Sequence, residues 1–432
     1  MSFFTDRFAR RIGGPAFGKS GEIFKFEAIK RAKRAAKLAH PDIELIDMGV
    51  GEPDEPAFPL ACQALAAEAS RTENRFYADN GIPEFKEAAA RYLERVYSVS
   101  GLDPATQIMH GIGTKPVYSM LPLAFIDPGD VALVTVPGYP ILGTHARYLG
   151  GEAYPLPLRA ENGFLPDLDG IPPEVLSRAK LLYLNYPNNP TGACATEAFF
   201  RKVVDFAKRN RIVVVHDAAY AALVYGDAKP LSFLSVPGAM DIGLEVHSLS
   251  KSFNMTGWRL GFVAGNPEAI AAYAAVKDNV DSGQFRAIQK AGVEALAHPE
   301  LTDAIAEKYS RRFDLLVAAL RAAGFDAKKP SGSFYCYVRA PVAAGGHDRA
   351  AGVQNRAVCV QDRAAERARV TFSTAAEFSD WLIRERLVST VPWDDAGPYV
   401  RFSVTFEAPT LADERRVIDE LSRRLESARL EF

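Results

Sequence analysis

Two kinds of hydrophobic pattern alternate along the chain. The first is short and almost wholly apolar, as in VALVTV (131–136), KLLYLN (180–185) and IVVVHD (212–217). The second is longer, with apolar residues recurring every three or four positions, as in PEFKEAAARYLERVY (83–97) and TEAFFRKVVDFAKRN (196–210). Short Val/Ile/Leu runs are the mark of strands buried on both faces, and the amphipathic segments between them predict covering helices. The pattern therefore predicts an α/β domain on a mostly parallel sheet. Further helices are predicted over 22–39, over 267–300 with a polar break at 278–285, and through RRFDLLVAALRAAG (311–324). That last helix leads into a smaller α+β domain, with strands at GSFYCYV (332–338) and YVRFSVTF (399–406) and helices at 375–387 and from Leu411. The expected division is 1–48 as an N-terminal segment with part of the small domain, 49–308 as the large domain and 309–432 as the small one. The loop APVAAGGHDRAAGVQN (340–355) is the segment expected to be mobile.

Length and charge narrow the class. A chain of 432 residues is too long for one ordinary core. A formal charge of -2 gives no reason to expect nucleic acid or an anionic membrane as partner. No run approaches the roughly 18 apolar residues of a membrane span. The opening MSFFTDRFARRIGG is not a secretory signal, so a cytoplasmic location is expected. Cys62, Cys194, Cys336 and Cys359 are widely separated and read as reduced thiols. The histidines form no HxH or HExxH pattern, and no metal site is expected.

Candidate chemistry centres on VHSLSKSFNMTGWRLGFVAG (246–265), which reads as a strand, a polar turn and a second strand. Lys251 lies in the Ser-rich turn. A lysine between hydroxyls and near a second cation can serve as an amine nucleophile, because neighbouring positive charge depresses its pKa. Arg259 with Ser248 and Ser250 can hold a phosphate, although solvated turn cations would give the same pattern. Upstream, a strand ends in Gly111 and Gly113, and Thr114-Lys115-Pro116 opens a helix whose free N–H groups form an anion site. The spacing is not that of the GxxxxGK[ST] nucleotide loop. Tyr139, just past a strand end, can stack on a planar cofactor or fill a core. Gly49 and Gly51 in GVGEPDEP allow backbone to approach a ligand closely. The aromatics of RFYADNG (75–81) either face a ligand or cap a core. Alternation along 399–406 puts Arg401 on the polar side, as a carboxylate fork or a plain surface arginine. Ligands of parallel sheets gather outside the carboxyl ends of the strands, and Asn189, Asp217, Tyr220, Lys251 and Arg259 all lie at or flank those ends.

NNPTG (188–192), DAAY (217–220), SLSKSFNMTGWRLG (248–261) and PGYP (137–140) together resemble the class I/II aminotransferases, the fold-type I enzymes that use pyridoxal 5'-phosphate (PLP). The resemblance in organisation covers the whole length. It implies that Lys251 binds PLP covalently and later acts as the base, that Asp217 pairs with the pyridinium nitrogen, and that Asn189 and Tyr220 hydrogen-bond O3′. It further implies stacking by Tyr139, phosphate binding by Thr114, Lys115, Ser248, Ser250 and Arg259, and substrate binding by Gly51, Asn189 and Arg401, with Arg401 on the α-carboxylate. The family also places a tyrosine from the neighbouring subunit on the phosphate, which implies a homodimer with active sites at the interface. Tyr77 matches, though it stands four residues before Gly81 where related loops have five, the spacing that Phe76 fits. The G-x-G-T-K stretch resembles the branch that contains LL-diaminopimelate aminotransferases and some alanine- or aspartate-type enzymes, and in the diaminopimelate enzymes the residue matching Asp79 would face the substrate's distal ammonium. The diaminopimelate members of that branch imply transfer from LL-2,6-diaminopimelate to 2-oxoglutarate, giving tetrahydrodipicolinate, in lysine biosynthesis. An aspartate- or alanine-type aminotransferase, a PLP-dependent C–S β-lyase and a cofactor-free binding protein are the alternatives.

Overall fold

The computed structural model describes residues 3–4, 7–18, 25–342 and 371–432. Most of the loop expected to be mobile, from residue 343 on, and Cys359 lie outside the described residues. Two compact units emerge. The first comprises Glu52–Ser310, Pro330–Tyr335 and the described part of Met1–Gly21. The second comprises the described parts of Glu22–Gly51, Arg311–Lys329 and Cys336–Phe432. The boundaries differ from a single cut at 308/309, because Pro330–Tyr335 returns to the first unit. Gly332 explains the return. A Cβ there would meet Pro187 at 2.6 Å and the Cys194 sulfur at 2.8 Å, so only glycine permits this packing.

Strand β1 (Ile46–Asp47) belongs to the second unit. The first unit is built on β2 (Ile108–Gly111), β3 (Val131–Val136), β4 (Glu152–Pro157), β5 (Ala179–Asn185), β6 (Val213–Asp217), β7 (Gly243–Ser248) and β8 (Gly261–Gly265). Their order across the sheet is β2-β8-β7-β6-β5-β3-β4. Strands β3 to β7 pair in parallel, whereas β8 is antiparallel to both β7 and β2. The mostly parallel sheet predicted by the continuous apolar runs is thus present.

Alternation along each strand sends neighbouring residues to opposite faces. Leu182 and Leu184 of β5 and Val214 of β6 join one core with the helices Pro83–Tyr97 and Glu197–Asn210. Leu181 and Tyr183 of β5, Val215 of β6 and Val246 of β7 join the other, with the helices Thr114–Phe125, Ile141–Tyr148 and Pro267–Lys277. Each fully buried Leu or Val contributes about 1.5–3 kcal/mol. The helix Glu197–Asn210 starts where the Thr196 hydroxyl accepts the Phe199 amide, and the break at 278–285 separates Pro267–Lys277 from Arg286–Ala297.

In the second unit, β1 pairs in parallel with β10 (Val388–Ser389), and β9 (Tyr335–Arg339), β11 (Val391–Trp393) and β12 (Tyr399–Ser403) form a three-stranded sheet. Strand β12 is shorter than the predicted 399–406. The carbonyls of Val404, Phe406 and Ala408 turn instead to the buried guanidinium of Arg312, which also meets Glu414 at 2.8 Å. Both faces of this segment are buried, including Arg401, Ser403 and Thr405. The reading of Arg401 as a plain surface arginine is thereby excluded. Among the described residues no helix is long and apolar enough to cross a membrane.

Candidate active site

The site grows from the carboxyl ends of β5, β6 and β7. Asp217 is the last residue of β6, beside Asn185 of β5. Two-residue periodicity puts Tyr183 on the same sheet face, and its hydroxyl donates to Asp217 Oδ2 at 2.8 Å. The Ala219 amide donates to Oδ1 at 3.0 Å. Burial pushes the Asp217 carboxyl above its ordinary value, and the hydrogen bonds from Tyr183 and Ala219 only partly offset this. Both donors are neutral. The Tyr118 hydroxyl, buried on this side, has no hydrogen bond of ordinary geometry, although its dipole still favours the carboxylate.

The NNPTG turn after β5 is pinned by its own side chains. Asn185 Oδ1 accepts the Asn189 amide at 2.9 Å, and Asn188 Oδ1 accepts the Thr191 amide and hydroxyl. Gly192 closes the turn with φ +71°, and a Cβ there would meet Pro330 at 2.6 Å. Beyond β6, the buried Tyr220 brings its hydroxyl within 3.3 Å of that of Tyr335 and sets its ring edge-on to Phe334. Lys251 Nζ stands 5.6 Å from the centre of the same Phe334 ring. Phe334 therefore links Tyr220 to Lys251.

Lys251 does not sit in the expected turn. It lies on a helical turn, Leu249–Ser252, started by Ser248, whose hydroxyl accepts the Ser250 amide at 3.1 Å. A 3-10 turn, Thr256–Trp258, follows, and the Thr256 carbonyl accepts Arg259 Nη1 at 2.9 Å. The Ser248 hydroxyl acts as the N-cap of the Leu249–Ser252 turn, satisfying an amide that has no partner within it. The Arg259 guanidinium then lies over Gly113, where a Cβ would meet Nη2 at 2.2 Å. Gly113 has φ +70° and precedes the helix Thr114–Phe125, which has no side-chain cap. An uncapped helix N-terminus beside a guanidinium is an anion cradle. The amides of Thr114 and Lys115 belong to that first turn, while the Lys115 side chain is exposed. Tyr139 is half-buried near Asp217 and Arg259. Burial pushes its hydroxyl up to about 12, helped by the Asp217 carboxylate and opposed by Arg259.

Other candidates lie elsewhere. Tyr77 and Asp79 are exposed in the single chain. Their loop is held by Lys277, which donates to the Asp79 carbonyl at 2.7 Å, and by Arg286, which donates to the Tyr77 carbonyl at 2.6 Å. Phe76 packs under the guanidinium of Arg75. Gly51 and Arg401 belong to the second unit, where Arg401 donates to the Gly49 carbonyl at 3.2 Å.

The first unit thus offers donors for a phosphate at one end, a flat aromatic between, and a buried carboxylate with neutral donors at the other. A carboxylate buried this way suits a protonated ring nitrogen. PLP fits this set of residues. The family model "Aminotransferase class I and II" matches residues 43–393. The chain belongs to that family. It is 53% identical over 439 residues to an LL-diaminopimelate aminotransferase of Methanocaldococcus jannaschii, covering 100% of this chain and 99% of the relative. A Methanococcus maripaludis protein of the same name is 51% identical over 436 residues, again covering 100% and 99%. Among solved structures, substrate-bound BacF of Bacillus subtilis aligns with a TM-score of 0.81 at 33% identity, covering 96% of this chain and 97% of that one. The chain is accordingly a PLP-dependent aminotransferase of fold-type I.

Sequence reasoning missed several residues of this aminotransferase. Tyr183, Tyr118, Phe334 and Tyr335 surround the named residues but belong to no motif. One signal was available for Tyr183. It is a hydroxyl-bearing side chain in the otherwise aliphatic run LLYL of a central strand, two residues before that strand's end.

Proposed function

We propose that this aminotransferase transfers the amino group of LL-2,6-diaminopimelate to 2-oxoglutarate, giving glutamate and an oxo acid that closes on its remaining amine with loss of water to tetrahydrodipicolinate, in lysine biosynthesis. The observation that carries this reading is the full-length similarity, at 53% and 51% identity, to two proteins named for that substrate. Asp79 adds support, because a long substrate with a distal ammonium needs a counter-charge there. The functional unit in this reading is a cytoplasmic homodimer. The exposure of Tyr77 and Asp79 in one chain leaves both available to a second copy's site.

Bound PLP supplies an electron sink for the pair released when the substrate's Cα–H bond breaks. Asp217 keeps the ring nitrogen protonated. Arg259, Ser248, Ser250 and the Thr114 and Lys115 amides hold the phosphate, with Tyr77 reaching it from the second copy. The forked guanidinium of Arg259 suits a dianion in a way that lysine does not. Tyr139 stacks on the ring, and Asn189 and Tyr220 hydrogen-bond O3′. Arg401 takes the substrate α-carboxylate, and Gly51 and Asn189 are further substrate-binding residues in this reading. Lys251 would hold PLP through its side-chain amine and, as a free amine, would carry the proton between Cα and C4′.

Steady-state assays should give a higher kcat/KM with LL-diaminopimelate than with aspartate or alanine, and no pyruvate from cystathionine without an oxo acid. A preference for either small amino acid by about tenfold, roughly 1.4 kcal/mol in transition-state binding, would reject the substrate.

A further inference from the structure

Tyr183 has no place in the motifs, yet it makes the shortest hydrogen bond to the carboxylate on which the site turns. We propose that Tyr183 is a positioning residue, whose hydroxyl aims the Asp217 carboxylate at the ring nitrogen of bound PLP. The inference rests on the proposed pairing of Asp217 with that nitrogen.

The geometry leaves Tyr183 little freedom. It is fully buried in β5, two residues before Asn185, and Asn185 lies in register with Asp217. Its ring is held edge-on against Tyr118 at 5.4 Å. The hydroxyl binds Oδ2 while the Ala219 amide binds Oδ1, so the carboxylate plane is fixed by two donors from two elements. Oxygen lone pairs remain for a third partner. The groups facing Asp217 are Tyr183 of β5, Tyr118 of the helix Thr114–Phe125, and Tyr139 of the loop after β3, with His216 preceding it on β6. Its neighbour on β7, Val246, is apolar. A buried carboxylate in such surroundings depends on donors to remain charged, and Tyr183 is the best-placed neutral one.

The test is PLP binding to the apoprotein as a function of pH. Tyr183→Phe should weaken PLP by roughly ten- to a hundredfold, the range for one hydrogen bond to a charged group. Losing the donor raises the carboxyl's pKa, so the loss of PLP affinity on acidification should begin at higher pH than in the unmodified protein. Tyr183→3-fluorotyrosine keeps the ring and hydroxyl, and therefore the packing, but is a stronger donor. It should move that acid limb to lower pH. A purely structural tyrosine would move neither limb. Asp217→Asn serves as reference and should bind PLP weakly without an acid limb. If Asp217→Asn is weak while both Tyr183 variants keep the original affinity and limb, the inference is overturned and the pairing of Asp217 stands. If Asp217→Asn binds as tightly as the unmodified protein, both are overturned.

Discussion

Strands β6 and β7 carry two buried carboxylates on opposite faces of one sheet, and the sheet treats them differently. Glu245 accepts four donors: His216 Nδ1 at 2.8 Å, His247 Nε2 at 2.7 Å, and the Ser232 hydroxyl and Phe233 amide at 2.6 Å each. Asp217, one residue beyond His216, has a tyrosine hydroxyl and an amide. Burial pushes both carboxyls up. At Glu245 the charges and hydrogen bonds of His247 and His216 win and hold it well below the carboxylate range. At Asp217 burial wins. One carboxylate is saturated by the protein and serves the fold. The other keeps acceptor capacity that a cationic ring nitrogen can use, at some expense to the apoprotein.

Two substitutions can break this contrast. Asp217→Asn should lower kcat by on the order of 10²–10⁴-fold, the usual range for a group that governs proton chemistry. Its apoprotein should melt no lower than the unmodified one, because an ionised group disfavoured by burial has been removed. A clear drop in apoprotein Tm would make Asp217 a second structural carboxylate. Glu245→Gln should do the converse and destabilise the chain by about 3–5 kcal/mol, the cost of breaking a buried pair. The fraction that remains folded should still bind PLP with its original Kd, which titration of the folded material would show.

The pH dependence sharpens the same contrast with a smaller effect. Glu245 has its pKa depressed on folding. Its stabilisation is therefore complete above the unfolded carboxyl value, near 4.5, and is lost as pH falls toward the folded value. The stability gap between the unmodified apoprotein and Glu245→Gln should narrow as pH falls below about 4.5. Asp217 runs the other way. Its raised pKa means that its contribution worsens as pH rises from the unfolded value, near 3.8, so Asp217→Asn should gain on the unmodified apoprotein over that rise. Denaturant midpoints at several pH values would measure both.

What the chain reveals without coordinates follows from how local each signal is. The parallel sheet was legible because strands such as IVVV are buried on both faces and carry no alternation to confuse. Lys251, Asp217 and Arg259 stand out as candidates because they lie in contiguous motifs at strand ends. The partners of the two carboxylates do not. The bonds of His216 to Glu245 and Tyr183 to Asp217 arise from the registers of β6 with β7 and β5 with β6, which no single stretch encodes. The four-residue helix bearing Lys251 is too short to show a helical period. For Arg401 the alternation could not tell that both sides of the strand are covered.

The central claim is that the amine of Lys251 is the point at which this aminotransferase holds PLP. Borohydride reduction of the PLP-loaded protein, followed by peptide mass mapping, tests it most directly. The account predicts one pyridoxyl group per chain, on the peptide containing Lys251. A label on Lys115 or any other lysine, or no label at all, would contradict it.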